Sequence, residues 1–291
     1  MLGAAWIAGV ALLPAIDRSR NGRVVALASR SGERAREMLS PHPGAQVVDS
    51  YDALLERKDV DAVYIPLVNN LHLTWTLRAL AAGKHVLCEK PLAMNAIEAT
   101  QMSAAAGRAG RLLMEAFMYR FDPRVRDFVS GLSDPIHVEA SFGFTLDDLD
   151  NYRLEPALGG GALLDVGCYG VSVSRWILGE PVDVQARARF EHGVDVTTSV
   201  LVDFDEGKAA SVFASFESAE HQEVKVIGRV GVERLERPFN RLVDPIEPYR
   251  LMVESFGKSI IERGPVEIPL SESIANMQTL DRVRAAFTRL P

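Results

Sequence analysis

Short apolar runs alternate with helical periodicity from Arg23 to about Glu115, and this rhythm constrains the fold more than any other feature of the chain. The runs lack the polar alternation of a half-exposed strand, so they indicate parallel strands that are buried on both faces. Strands and helices in this order predict a doubly wound α/β sheet with its ligand at the carboxyl ends of the strands. The predicted strands are Val24–Ala28, Ala62–Ile65, Val86–Cys88 and Arg111–Met114, and the predicted helices are Glu33–Leu39, Leu71–Ala82 and Ile97–Ala109.

After about Tyr119 the pattern changes to strands in which apolar and polar residues alternate, which indicates a sheet with one solvent-exposed face. The clearest strands are His137–Phe142, Ser199–Phe204 and Lys208–Phe216, and helices are predicted at Leu163–Leu178, Pro248–Glu262 and Ser271–Phe287. A chain of 291 residues is long enough for two cores. We therefore predict two domains, residues 1–118 and 119–291. The second is α+β, and its open sheet face is available to another subunit.

The charge and cysteine content argue against several classes of partner. The chain carries 32 basic and 39 acidic side chains, a net charge of −7, and the basic residues are scattered, so no nucleic-acid partner is expected. Cys88 and Cys168 have no metal-ligand spacing and are too few for a disulfide scaffold, which fits a cytoplasmic protein. The uncharged run Leu2–Ile16 is too short to span a membrane, and Arg18 follows it rather than preceding it. We therefore predict a buried helix there and no membrane partner.

The segment Leu2–Ala8 is similar to the end of a dinucleotide-binding turn, in which small residues let the backbone approach a pyrophosphate at a helix N-terminus. On its own, this segment is explained nearly as well by a chance helix start. Its context favours a nucleotide, because Ser29 and Arg30 end the next strand and Arg34 lies one turn into the following helix. An acidic residue there would bind a ribose diol, whereas a hydroxyl and guanidinium groups suit a 2′-phosphate, so NADP is favoured over NAD. The alternative is that these arginines are ordinary solvated surface residues.

Two further motifs have the composition of catalytic segments. Gly83–Pro91 is a strand that ends in a charged pair before a proline, at the edge where cofactor chemistry is expected. Gly159–Tyr169 is a flexible glycine-rich loop running into a helix, on which Asp165 and Tyr169 share one face. A tyrosine has a pKa of about 10, which an adjacent Lys90 ammonium and an oxidised nicotinamide would lower toward that of a proton acceptor. The alternatives are a plain surface ion pair and a tyrosine that only packs between domains.

In this order, the motifs resemble the Gfo/Idh/MocA oxidoreductases, in particular the branch that contains dihydrodiol dehydrogenase, D-xylose dehydrogenase and glucose–fructose oxidoreductase. The likeness covers almost the whole chain, and several separated motifs are more specific than any one. It rests on Leu2–Ala8, Asp61–Leu67 with Asn69 and His72, Gly83–Leu92, Met114–Phe121, Asp150–Arg153 and Gly159–Tyr169.

The resemblance implies a Rossmann domain followed by a C-terminal domain with an open, mostly antiparallel sheet, through which the chain would form a homodimer or larger oligomer. It also implies an NADP-dependent enzyme that moves a hydride between nicotinamide and a hydroxyl-bearing carbon of a small sugar or cyclic trans-diol. Lys90 and Tyr169 would be the catalytic pair, supported by Asp165, and Tyr152 and Arg153 would contact substrate. The implied cofactor contacts are Gly3, Ala4, Ala5, Trp6, Ile7, Ser29, Arg30, Arg34, Pro66, Leu67, Asn69, His72, Glu89 and Lys90.

The chain also departs from the family pattern. Family members have a strand and one more glycine before the position of Leu2, so we expect a truncated first strand whose neighbours have unpaired edges. This suggests a start internal to the natural reading frame or a damaged paralogue, and hence an alternative function as a non-catalytic nucleotide sensor or partner-binding protein. Segments 122–134 and 240–248 are shorter than usual, and Val68 and Asp122 replace a proline and a histidine. These changes affect the expected dimer face and substrate pocket more than the catalytic pair.

Overall fold

The computed structural model describes residues 1–290, whose helices and strands form two compact units. The strands are β1 (Ala26–Ala28), β2 (Gln46–Val48), β3 (Ala62–Ile65), β4 (His85–Cys88), β5 (Leu113–Glu115), β6 (Pro135–Thr145), β7 (Pro181–Glu191), β8 (Val194–Phe204), β9 (Ala209–Ser215), β10 (Glu217–Gly228), β11 (Val232–Glu236) and β12 (Phe287–Arg289). The helices are α1 (Leu13–Arg18), α2 (Gly32–Leu39), α3 (Tyr51–Leu55), α4 (His72–Ala81), α5 (Ala96–Ala109), α6 (Pro123–Gly131), α7 (Cys168–Leu178), α8 (Glu247–Glu262) and α9 (Leu270–Ala285). Segments of π-helix precede α1, at Ala8–Leu12, and α7, at Leu163–Gly167.

The first unit contains the predicted parallel sheet, in which β1 pairs with β2 and β4 lies between β3 and β5. The first residues of the chain lie between these two parts. The Leu2 N–H donates to the Tyr64 carbonyl at 3.0 Å, and the Gly3 N–H donates to the Ala28 carbonyl at 2.8 Å. The Ala28 N–H in turn donates to the Met1 carbonyl at 3.0 Å. The inner edges of β1 and β3, expected to be unpaired, are therefore partly bonded by this short segment.

The predicted α/β class is confirmed for this unit, although two elements were missed. The run Leu2–Ile16 forms the predicted helix from Trp6, but the helix is only partly buried, because Trp6 and Val10 are exposed. The missed strand β2 has three residues, none of them buried, and so lacks the apolar run that identifies an inner strand. The missed helix α3 begins after Ser50, whose hydroxyl accepts the Ala53 N–H at 3.0 Å. This serine was the local signal for the helix start.

The second unit is built on a seven-stranded sheet with the strand order β11-β10-β6-β9-β8-β7-β12. Its neighbours are antiparallel except for the pairs β6–β9 and β7–β12, which confirms the expected open, mostly antiparallel sheet. The turn before α7 packs on one face through an apolar cluster of Ala162, Val166, Ala214 and Phe216. On the other face, Leu201 is 40% exposed, while its neighbours Val200 and Val202 are buried. This alternation is the one the sequence predicted.

The two units are not consecutive in the sequence. The first consists of residues 1–93, 97–121 and 244–273, and the second contains the remaining segments. The predicted division places everything after residue 118 in the second domain, so it assigns α8 differently. In the structure α8 contacts α1 and the turn at Met118–Phe121. It buries Met252 and Phe256, and its Glu254 carbonyl accepts the Asn21 side-chain amide at 2.9 Å.

The segment Pro156–Leu178 is long and apolar enough to cross a membrane, with a mean hydropathy of 1.2 over its most apolar stretch. However, 83% of that stretch is buried inside the protein. This burial is typical of a core helix, and it agrees with the packing of α7 on the sheet.

We expect Gly170→Ala to lower the free energy of unfolding by about 1–3 kcal/mol, because overpacking a core forces side chains or backbone to shift. Gly170 lies in α7, and a Cβ there would be 2.5 Å from Val212 Cγ1 of β9. The matched control is Gly107→Ala in α5, where nothing lies within 4 Å of the added Cβ. That variant should gain about 0.5–1 kcal/mol, since glycine is a poor helix former. Urea unfolding measures both, and a Gly170→Ala protein as stable as the wild type would contradict the close approach of α7.

Candidate active site

The first candidate segment is the turn at Gly3, which leads from the centre of the parallel sheet into the first helix. Gly3 has φ +108°, and a Cβ on it would lie 2.8 Å from Leu67 Cδ2, so only glycine fits. Ala4 is buried, Ala5 and Ile7 are half-buried, and Trp6 is 76% exposed at the start of the helix. A helix start with small residues presents unpaired backbone N–H groups that suit a pyrophosphate. The predicted contacts Gly3, Ala4, Ala5, Trp6 and Ile7 thus lie together on one turn.

Ser29, Arg30 and Arg34 lie beyond the carboxyl end of β1. The Ser29 hydroxyl accepts the Ser31 N–H at 3.2 Å, and the Ser31 hydroxyl caps α2 by accepting the Arg34 N–H at 3.2 Å. Both Arg30 and Arg34 are exposed, and neither forms an ion pair with an acid within residues 1–290. Two such guanidinium groups at a helix start fit a phosphate. Ser31 was missed, although serine directly before a helix is a recognised capping signal.

The segment Pro66–His72 follows β3, and the side chain of its last residue, His72, contacts its backbone. This histidine is fully buried, with Nε2 2.9 Å from the Leu67 carbonyl oxygen and Nδ1 3.0 Å from the Pro91 carbonyl oxygen. Burial lowers the pKa of His72, and the surrounding carbonyl groups oppose this shift. Asn69, at the start of the next turn, is 7% exposed. His72 therefore lies beneath two loops that the sequence assigned to cofactor binding.

Lys90 lies on the turn that follows β4, and the Lys90–Pro91 peptide is cis. Glu89 accepts hydrogen bonds from the Tyr64 hydroxyl and, at 3.3 Å, from the Lys90 N–H. The next N–H of the turn, that of Leu92, donates to Glu115 Oε1 at 2.8 Å.

Glu115 at the end of β5 is 1% exposed, and burial raises its pKa to about 7, with Glu89 adding to the rise and Lys90 opposing it. Sequence reasoning did not select Glu115 as a site residue. The available signal was a carboxylate within an otherwise apolar run, Leu112–Phe117.

In the second unit, Asp165 and Tyr169 lie on the helix that begins after the triple glycine, as predicted. Arg153 Nε donates to Asp165 Oδ2 at 2.6 Å, and the guanidinium carbon is 4.8 Å from the centre of the Tyr152 ring. Burial opposes the charge of Arg153, but Asp165 and the two phenols of Tyr152 and Tyr169 raise its pKa above the usual range. Arg153 is thus a cation within electrostatic reach of Tyr169. Its Nη2 atom makes no hydrogen bond within the described part of the chain.

Tyr169 is 7% exposed and packs in an aromatic cluster that the motif analysis missed. Its ring centre lies 5.8 Å from that of Phe142 and 5.1 Å from that of Phe239. Phe142 and Phe239 are nearly parallel to each other, with an interplanar angle of 11°. Because these residues come from three separated segments of the second unit, no local motif could have brought them together.

The glycine-rich segment is held by Asp195, so the predicted flexible loop is a tightly packed one. A Cβ on Gly161, which has φ +112°, would lie 2.3 Å from Asp195 Oδ1. The Leu163 N–H donates to Asp195 Oδ2 at 2.7 Å, and the Gly161 N–H donates to the Arg153 carbonyl at 2.9 Å. Burial raises the pKa of Asp195 to about 6. Asp195 therefore fixes the start of the helix that carries Asp165 and Tyr169.

Comparisons with known proteins agree with the separate architectures of the two units. Residues 1–117 match the model described as an oxidoreductase family with an NAD-binding Rossmann fold, and residues 130–232 match the GFO/IDH/MocA C-terminal domain. D-xylose 1-dehydrogenase (NADP(+)) 2 of Haloferax volcanii is 36% identical over 97% of this chain and 95% of its own. Trans-1,2-dihydrobenzene-1,2-diol dehydrogenase of Xenopus laevis is 33% identical over 78% of this chain and 70% of its own.

Among solved structures, the chain is similar to KijD10, a 3-ketoreductase from Actinomadura kijaniata, in complex with NADP and TDP-benzene. The TM-score is 0.91, the identity is 29%, and the alignment covers 99% of this chain and 97% of KijD10.

The buried carboxyl of Asp195 predicts a pH dependence of stability. Its pKa is raised from 3.8 to about 6 on folding, so between these values the folded protein binds the extra proton. Its contribution to stability is therefore greatest below about pH 4 and falls by up to about 3 kcal/mol as the pH rises above 6. Asp195→Asn keeps an oxygen acceptor for the Leu163 N–H but does not titrate. Urea unfolding should show that the free energy of unfolding of this variant rises relative to that of the wild type between pH 4 and 7. The control is the exposed Asp183→Asn, for which the difference from the wild type should be constant. A constant difference for Asp195→Asn would contradict the prediction.

Proposed function

Because the chain belongs to the GFO/IDH/MocA oxidoreductase family, we propose that it is an NADP-dependent dehydrogenase that oxidises a hydroxyl-bearing carbon of a small sugar or cyclic trans-diol, or reduces the corresponding ketone. The observation that carries the proposal is the group of Tyr169, Asp165 and Arg153 on the second unit. The Tyr169 phenol lies within electrostatic reach of the Arg153 cation, and it shares a helix face with Asp165, which binds that cation. Such a phenol is suited to proton exchange.

In the proposed reaction, Tyr169 accepts the proton of the substrate hydroxyl. A tyrosine is too weak an acid to do this at neutral pH unless positive charge stabilises its phenolate. Arg153 supplies part of that charge, and Lys90 on the first unit is proposed to supply the rest. The bound nicotinamide would accept or give the hydride, which is the cofactor's own chemistry.

NADP is the proposed cofactor because the residues after β1 fit a 2′-phosphate better than a ribose diol. The exposed Arg30 and Arg34 have no acidic partner in the described chain, and no acid stands at residues 29–31. The Haloferax relative is named for NADP(+), and KijD10 was solved with NADP. NAD remains the less favoured cofactor on the same physical argument.

The proposed substrate class combines the site chemistry with the relatives' names. One relative is named for D-xylose, another for a dihydrobenzene diol, and KijD10 is a 3-ketoreductase; each name implies a hydroxyl or carbonyl carbon. Arg153 Nη2 is a donor available for a substrate hydroxyl, and the Tyr152 ring lies beside it. Phe142 and Phe239 pack beside Tyr169 and make its surroundings apolar. Association of two copies through the open sheet face stays a prediction.

We expect Lys90→Ala and Tyr169→Phe each to lower kcat by about 10²- to 10⁴-fold, the usual range for losing a positioned proton-transfer group. Affinity for NADPH, measured by fluorescence, should stay within about threefold, since most of the implied nucleotide contacts lie on other segments. The substrate is first identified by following NADP⁺ reduction across aldoses, inositols and cyclic diols. Lys58→Ala, an exposed lysine of the same unit, is the control. Full activity in both variants would reject the mechanism, and NADPH binding without turnover on any compound would favour the nucleotide-sensing alternative.

The cofactor choice is tested by the double change Arg30→Ala and Arg34→Ala. Loss of one or two charge-assisted hydrogen bonds to the 2′-phosphate should raise KM for NADP⁺ by about 10- to 100-fold. Because NAD⁺ has no such phosphate, kcat/KM with NAD⁺ should be unchanged. Arg108→Ala, at an exposed arginine of α5 in the same unit, is the control. An equal loss with both cofactors would contradict a role in recognising the phosphate.

A further inference from the structure

One peptide of the first unit, that between Pro91 and Leu92, is held at both of its polar atoms by buried side chains. The Pro91 carbonyl oxygen lies 3.0 Å from His72 Nδ1, at the start of α4. The Leu92 N–H donates to Glu115 Oε1 at 2.8 Å, at the end of β5. The plane of this peptide is thus fixed from two elements, directly after the proposed catalytic residue Lys90.

We propose that Glu115 is a positioning residue that fixes the direction of the Lys90 side chain by holding the Pro91–Leu92 peptide. The inference rests on the proposed function, because it assigns to Glu115 an effect on turnover through Lys90. Lys90 precedes the held peptide by one residue, and Glu89 N-terminal to it is itself bonded to the Tyr64 hydroxyl and the Lys90 N–H. The backbone of Lys90 is therefore fixed on both sides.

The chemistry of Glu115 supports a role beyond filling space. Its side chain is 1% exposed, and Oε2 has no hydrogen-bond partner within residues 1–290. An acid buried with one oxygen unsatisfied is costly, so a core position without other constraints would hold an apolar residue. An apolar residue here would leave the Leu92 N–H without its acceptor.

Two charged side chains of the Lys90 turn act on Glu115 in opposite directions. The ionisable groups that face it are Glu89 and Lys90 on the turn after β4, and the Ser273 hydroxyl lies beside it on α9. Lys90 is the cation of this set, and it favours the charged form of Glu115. Glu89 on the same turn opposes the charged form more strongly, so it is the hydrogen bond from the Leu92 N–H, rather than net charge attraction, that links Glu115 to the turn.

Glu115→Gln separates a positioning role from general stability. The glutamine oxygen can still accept the Leu92 N–H, whereas Glu115→Ala removes the acceptor. We expect Glu115→Ala to lower kcat by about 10- to 100-fold, the usual effect of a small misplacement of a catalytic group. Glu115→Gln should restore kcat to within about threefold, and NADPH affinity should be little changed in both. Glu139→Ala, on the sheet of the second unit, is the control for loss of a carboxylate.

The decisive measurement repeats Glu115→Ala in the Lys90→Ala background. If Glu115 acts through Lys90, the second change should cost nothing further, because residues that act as a unit are not additive. Equal losses in both backgrounds, or wild-type kcat in Glu115→Ala, would overturn the inference while leaving the dehydrogenase intact.

Hydrogen exchange of the Leu92 amide gives a readout that needs no substrate. Glu115→Ala should accelerate this exchange by about tenfold or more, whereas Glu115→Gln should preserve its protection. Unchanged exchange in Glu115→Ala would also overturn the inference. An inactive wild type with the expected exchange pattern would instead reject the proposed function and leave the contact with the turn in place.

Discussion

Several buried main-chain groups in the loops of this protein are bonded by side chains rather than by a neighbouring helix or strand. His72 contacts the Leu67 and Pro91 carbonyls, Glu115 accepts the Leu92 N–H, and Asp195 accepts the Leu163 N–H. An unpaired buried polar group costs free energy, so each loop has one orientation in which its groups are satisfied. The geometry of the Lys90 turn and of the segment Gly159–Tyr169 depends on this constraint.

The same constraint gives the site its electrostatic character. Carboxyl groups that are buried to hold backbone N–H groups have raised pKa values, about 7 for Glu115 and about 6 for Asp195. Arg30 and Arg34, after β1, are exposed and hold no buried backbone group, so their charges are available to a ligand. Arg153 combines both situations, since one guanidinium nitrogen is bound by Asp165 and another has no partner in the described chain. Burial thus divides the charged groups into those that shape the loops and those that can meet a substrate.

Local sequence patterns predicted more of the scaffold than of the site. The apolar runs of β3, β4 and β5 and the alternation along β8 were correctly assigned to a parallel and an open sheet. β2 was missed because none of its three residues is buried. The assignment of α8 to the first unit depends on contacts with α1, more than 200 positions earlier in the chain, which no local pattern contains.

The predicted site residues come from motifs, and apart from the local cap Ser31 those that the sequence missed act at long range. Glu115 lies 23 residues from Leu92, and Asp195 lies 32 residues from Leu163, so neither pair is visible as a spacing. Phe142 and Phe239 likewise meet Tyr169 only because strands of the second unit and the chain after β11 converge.

By itself, the sequence determined the two fold classes, the family, and the residue types placed at the strand ends, because these follow from periodicity and from contiguous motifs. Only the tertiary structure decided which backbone groups those residues hold and which charges face one another. Such pairings are made between segments far apart in the chain, and they exist only once the cores have brought those segments together.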